Sequence, residues 1–259
     1  MRTVLGIEVD DALMEHWVEW FAPAQQPFDV RALPPQADGT QIGTAATLSP
    51  EVRDTFFVYE PGFRTLTEHE FAALSPRQRR ALVAARPRGL RPAAWPTDPL
   101  ELRRRRALAY VEHGVAPSRH REVSDATWGR AAEHLPEAGR LTGTFADGSG
   151  PNCFGAVMAA AGVPDADEVW MLQEPFEAWL REASAPIRGT GTDDEPGTVL
   201  VWRDRAGLAQ HAAITIGDGW ALNKPSQAWC SPYLVWTVRE TIAHSRVSSQ
   251  RLERHRLHP

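Results

Sequence analysis

The stretch Gln210-His211-Ala212-Ala213-Ile214-Thr215-Ile216-Gly217-Asp218-Gly219-Trp220-Ala221-Leu222-Asn223 constrains this chain most. Apolar and β-branched residues on either side of a glycine-rich turn predict two antiparallel strands, which commits the C-terminal half to a sheet. If Gly217-Asp218-Gly219 is a three-residue loop, Ile216 faces Trp220, Ala213 faces Asn223, and His211 lies two residues along from Ala213 on the same face. His211 and Asn223 are then diagonal neighbours, roughly 7–8 Å apart between backbones and within side-chain reach. A two-residue loop puts them on opposite faces.

Upstream, Pro151-Asn152-Cys153-Phe154-Gly155-Ala156-Val157-Met158 begins an apolar run that ends at Gly162. Phe154, Val157, Met158 and Ala161 recur at helical spacing, so a short amphipathic helix is predicted, with Asn152 as N-cap and Cys153 in the first turn. The helix dipole and the free amides of that turn favour an anion, so the expectation is a thiol with a lowered pKa. Such a nucleophile needs a base held by a third group.

Cys153 opening a helix, His211 opening a later strand and a polar residue twelve positions after it resemble the catalytic core of the NlpC/P60 peptidases, which have a papain-like fold. The stretch Asp194 to Trp202, with Pro196-Gly197-Thr198, is similar to the family's Pro-Gly-Asp strand, and Gly217-Asp218-Gly219 fits its hairpin turn. The resemblance covers roughly residues 140–240. Asn152-Cys153-Phe154-Gly155 stands where the family has Asp-Cys-Ser-Gly, Thr198 replaces an aspartate, and the tyrosine common before the cysteine is missing; these departures bear on specificity. The resemblance implies Cys153 as nucleophile, His211 as general base and then acid, Asn223 as orienting group, and neither a metal nor an organic cofactor. A lone cysteine on an apolar helix is usually a small core residue, and a lone histidine at a strand start is usually structural. Order, spacing and the intervening hairpin favour catalysis over either.

With 259 residues the chain has length for one large domain or two modest ones. The division expected is an accessory domain over 1–125 and a catalytic domain over 126–259, with the boundary falling between 90 and 125. A net charge of −5 argues against a general nucleic-acid binder. The N-terminus has no continuous apolar signal region and no stretch is long enough to span a membrane, so a cytoplasmic protein is expected. Two cysteines make no disulfide framework, and Cys230 is expected to be a passive thiol. His113, His120 and His134 lack a tight ligand pattern, and no zinc site is expected.

In the first half, Ala12–Phe21 is predicted helical with Leu13, Trp17 and Phe21 on one face. A stretch of loops and short strands follows to about Pro50, then a strand over Thr55–Tyr59. Thr67-Glu68-His69-Glu70 has capping-box spacing, Ser75-Pro76 starts a helix through Arg86, and Leu100–His113 is another. Arg77, Arg79, Arg80, Arg86 and Arg88 read as a solvated face. In the second half, Ser124 caps a helix with Trp128 and Ala132 inward, and Gly148–Pro151 is a flexible approach to Cys153. Phe176, Trp179, Leu180 and Ala183 mark a helix, and Asp193, Asp194 and Glu195 lie in a solvated loop. Strands are predicted at Val199–Trp202, His211–Ile216, Trp220–Asn223 and Tyr233–Val238, and the tail from His244 is a polar helix or disordered.

Helix first and antiparallel sheet afterwards is an α+β order. With the resemblance, this gives a papain-like NlpC/P60 core behind a mixed, mainly helical N-terminal domain. The expected function is a thiol hydrolase cleaving amide bonds, acting on a peptide or a small amide-containing substrate; the resemblance suggests cell-wall-derived peptides. Two alternatives stand: a cysteine-dependent amidotransferase or acyltransferase, and an inactive papain-like binding module. The latter would meet a protein partner through the N-terminal half, on an apolar patch at Trp17, Phe57 or Trp95. Neither nucleic acid nor membrane is an expected partner.

Overall fold

A computed structural model of the protein describes residues 1–33 and 48–258. Of the stretch predicted as loops and short strands before Pro50, residues 34–47 lie outside the described residues. The chain divides into two compact units, one of Met1–Val4 with Val9–Val115, the other of Leu5–Glu8 with Ala116–Pro259. Residues 116–125 thus belong with the C-terminal unit.

Two short strands, β1 (Arg2–Val4) and β2 (Ile7–Val9), precede α1 (Asp11–Phe21). Asp10 caps α1 by accepting from the Leu13 N–H at 2.8 Å. The helix buries Trp17 and Phe21 as predicted, with Met14 and Val18 completing the face in place of Leu13. Strands β3 (Gln25–Asp29) and β4 (Phe63–Thr67) pair antiparallel. Between them, the predicted strand over Thr55–Tyr59 is overturned: Pro50–Phe56 is a helix, α2, capped by Ser49 and started by Pro50, and Phe57 ends it at φ 57°. A serine cap with proline in the first turn outweighs the strand preference of the aromatic residues.

Helices α3 (Glu68–Ala73) and α4 (Pro76–Ala85) both begin with reciprocal capping boxes, at Thr67–Glu70 and Ser75–Gln78. Helix α5 (Leu100–Val111) buries Ala107 and Val111. Arg86 departs from the solvated face expected of it. Its guanidinium lies 3.7 Å from the ring centroid of Phe28 and 4.8 Å from that of Phe56, and donates to Gln26 Oε1 at 2.9 Å. Burial pulls its pKa down to about 9. Trp17 and Trp95 are core residues, so the exposed patch expected on the binding-module reading does not include them; Phe57 is exposed.

In the C-terminal unit, α6 (Asp125–Ala131), α7 (Ala138–Leu141), α8 (Cys153–Ala160) and α9 (Gln173–Ala183) precede the sheet. Ser124 caps α6 as predicted, but Ala131 is the buried alanine and Ala132 is exposed. The strands are β5 (Ser184–Ile187), β6 (Thr198–Arg203), β7 (Ala209–Gly217), β8 (Trp220–Asn223), β9 (Leu234–Thr237) and β10 (Arg251–Leu257), with α10 (Val238–His244) before the last. They form one antiparallel six-stranded sheet in the order β5-β10-β6-β7-β8-β9. The architecture is α+β. Among the described residues, no helix is long and apolar enough to cross a membrane.

The tail expected to be helical or disordered supplies β10, an interior strand. Its charges are matched: Arg254 donates to both carboxylate oxygens of Asp193 at 2.7 and 2.9 Å, and Arg256 lies 3.2 Å from Glu195. Two of the three acids assigned to a solvated loop thereby tie that loop to the sheet.

The sheet has two buried faces. Val199, Val201, Ala212, Ile214, Ile216, Leu222 and Val235 pack with α8 and α9, while Leu200, Trp202, Ala213 and Ala221 pack with Val238 and Ile242 of α10. Period-two alternation along β7 therefore sends neighbouring residues to different cores.

Candidate active site

The hairpin delivers His211 and Asn223 by a route the turn residues did not announce. Asp218 and Gly219, at φ 51° and 78°, form a two-residue turn closed by the Gly217–Trp220 pair, and a one-residue bulge at Ile216 follows. A plain two-residue turn would set Ile214 opposite Asn223. The bulge restores Ala213 opposite Asn223, the register expected from a three-residue loop.

His211 and Asn223 consequently share a face, and the imidazole Nε2–H donates to Asn223 Oδ1 at 2.9 Å. That bond fixes the tautomer and leaves Nδ1 with a free lone pair. Trp202, directly across from His211 on β6, places its ring centroid 5.1 Å from the imidazole. His244 on α10 adds a like-charge influence, but burial is the larger cause pulling His211 down to about 4. The Asn223 side chain is 1% exposed, and its Nδ2 has no hydrogen-bond partner among the described residues.

Cys153 opens α8 as predicted, and Asn152 is the N-cap, accepting from the Gly155 N–H at 3.0 Å while donating through Nδ2 to the Met171 carbonyl at 2.8 Å. All eight residues of α8 are buried, so the helix is a core element and not amphipathic. The backbone N–H groups of Cys153, Phe154 and Ala212 favour the thiolate, as does the charge of Lys224. Burial outweighs them and pushes the thiol up to about 11, reversing the lowered pKa expected from the helix terminus alone.

Two of the three expected residues are brought together: His211 and Asn223 share the face of the sheet that carries Trp202 and Ala213, opposite the face on which Cys153 packs. His211 and Asn223 are hydrogen-bonded, whereas Cys153 packs in the core of the α8 face. Its thiol meets β7 at the Ala212 amide, the peptide unit that follows His211. Among the described residues, no hydrogen bond joins the thiol to the imidazole. Burial favours the neutral form of each, the thiol on one face of the sheet and the imidazole on the other.

Two neighbours escaped sequence reasoning. Trp202 could have been placed opposite His211 by aligning the two strands. Lys224, next to Asn223, is wholly buried, and a lysine closing a strand ordinarily signals solvent. Gly148–Pro151 is also less free than expected: Gly150 N–H donates to the Gln227 carbonyl at 2.9 Å, and Ser149 Oγ accepts from the Trp229 N–H at 3.1 Å. Beside this loop is a cavity of about 450 Å³, lined by residues including Arg140, Thr144, Asp147, Ser149, Asp167 and Tyr233, and by none of the three candidate catalytic residues. Cys230 is half-buried and forms no disulfide. Compared with protein-family models, curated proteins and solved structures, the chain matches none.

Proposed function

We propose that the C-terminal unit is a papain-like thiol hydrolase of the NlpC/P60 kind that cleaves amide bonds through Cys153, His211 and Asn223. The observation that carries this reading is the 2.9 Å bond from His211 Nε2–H to Asn223 Oδ1, which orients the imidazole on a strand whose next amide, Ala212, meets the Cys153 thiol from the other face of the sheet. Because Cys153 and His211 lie on opposite faces of β7, the reading requires the start of that strand to turn its imidazole toward the α8 face when substrate binds, a rearrangement larger than the tightening usual between free and bound enzymes.

In the proposed reaction His211 Nδ1 takes the Cys153 proton and the sulfur attacks the substrate carbonyl. Backbone N–H groups of the α8 first turn stabilise the oxyanion. The imidazolium protonates the leaving amine as the C–N bond breaks, leaving a thioester, and water, deprotonated by His211, resolves it to acid and free thiol. The polar cavity beside Ser149 is the proposed seat of a peptide substrate, with cell-wall-type peptides the first class to try.

The test is hydrolysis of a panel of L,D- and D-amino-acid-containing peptides by the wild-type chain, Cys153→Ala and His211→Ala. The expected result is release of amine by wild type and a loss of at least about a hundredfold in each variant. Equal release by all three would overturn the assignment. The buried, high-pKa thiol favours a second reading, an inactive fold, for which wild type hydrolyses nothing and Cys153 carries no acyl group.

A further inference from the structure

Lys224 turns inward at the end of β8, and its side chain is wholly buried. An ammonium group has three donors and no acceptor, and its burial is costly unless the surroundings are arranged for it. Here Nζ donates to the Ser231 backbone carbonyl and lies 5.0 Å from the ring centroid of Tyr233. A carbonyl oxygen and an aromatic face both attract positive charge.

That cage is itself anchored. Ser231 Oγ accepts from the Ser226 N–H at 3.0 Å, Tyr233 O–H donates to the Asp167 carbonyl at 3.2 Å, and Tyr233 N–H donates to Thr144 O at 2.9 Å. Tyr233 packs in the same buried cluster as Cys153. Helix α8 carries no charged side chain. The titratable groups on the thiol's side of the sheet are Lys224 after β8 and Tyr233 before β9, with the Arg140–Asp167 pair, 2.9 Å apart, beyond Tyr233, while His211 faces Trp202 on the other side.

We propose that Lys224 is a positioning residue of this site, whose caged ammonium supplies the positive charge that lets a buried Cys153 sulfur carry negative charge. It acts through Cys153 and touches no substrate. The inference deepens the thiol-hydrolase reading and rests on it for what the thiolate then does. At an effective dielectric constant of about 20, opposite charges up to about 12 Å apart interact strongly enough to move an ionisation by about one pH unit.

The experiment is intact-mass measurement of Cys153 alkylation by iodoacetamide from pH 7 to 11, in the full chain carrying Cys230→Ser. Lys224→Met is expected to shift the profile up by about one pH unit, slowing alkylation about tenfold at pH 8, while Lys224→Arg stays within about threefold of the parent. An unchanged profile in a folded Lys224→Met chain overturns the proposal, as does equal slowing in Lys224→Arg, which would assign the effect to packing. Should Lys224→Met not fold, Tyr233→Leu keeps the lysine and removes its aromatic seat; slower alkylation is then expected, and an unchanged profile overturns the proposal. Alkylation needs no substrate. A shifted profile without turnover would uphold Lys224 and remove the hydrolase reading, whereas Cys153-dependent turnover with an unshifted profile would remove Lys224 alone.

Discussion

Asn223 does two things to His211: it accepts the Nε2 proton, and as a neutral amide it orients the ring without adding charge. Replacing it separates the two roles. In Asn223→Ala the imidazole loses its orienting bond, and kcat is expected to fall about 10–100-fold with little change in KM. In Asn223→Asp an acceptor remains, the unpartnered Nδ2 donor disappears, and a negative charge faces the ring. The His211 pKa should then rise from its value of about 4, carrying the acid limb of kcat/KM upward in pH. An imidazole NMR titration checks this directly, and an unmoved His211 would mean that the pair is not coupled as drawn.

Helix α8 illustrates how an element is dictated by one residue. A Cβ built on Gly155 would lie 2.1 Å from the Ala166 carbonyl oxygen, so only glycine allows the helix to lie against that loop. Gly155→Ala should destabilise the unit by about 2–3 kcal/mol, read as a lower urea midpoint, and should displace the first turn that carries Cys153. Wild-type stability in that variant would contradict the close approach. The helix itself was legible from the spacing of Phe154, Val157 and Met158 and from the Asn152 cap, because both signals are local. What surrounds it was not, since burial on every side depends on chain distant in sequence. The hairpin register was legible for a different reason than supposed: the turn has two residues, and a bulge at Ile216 makes up the difference. Strand β10 was hidden because Arg-Leu-Glu-Arg-His-Arg-Leu looks solvated until Asp193, Glu195 and Arg203 are placed beside it. The misassigned strand at Thr55–Tyr59 was a local failure, where aromatic content was weighed above the Ser49-Pro50 start signal.

For the molecule as a whole, buried ionisable groups set a stability dome against pH. His211 binds a proton near pH 6.5 when unfolded but only near 4 when folded, so the unfolded chain holds more protons between those values and stability rises with pH across the window. Its share is about 3 kcal/mol, and His120, His244 and His255, also lowered chiefly by burial, act in the same direction. Cys153 works oppositely. Unfolded it ionises near 9 and folded near 11, so stability falls as pH rises between them, again by about 3 kcal/mol. Urea unfolding at pH 4–11 should show both limbs, with His211→Ala flattening part of the acid limb and Cys153→Ala the alkaline one. On the proposed reading, a neutral thiol and a neutral imidazole on opposite faces of the sheet must be brought into register when substrate meets the thiol. The most direct test is therefore intact-mass detection of an acyl group on Cys153 after rapid mixing with a peptide thioester or activated ester. The expected result is a single adduct on Cys153 that forms at least about a hundredfold more slowly in His211→Ala and is absent in Cys153→Ala. An adduct forming equally fast without His211, or none at all in the wild-type chain, would contradict the thiol-hydrolase assignment.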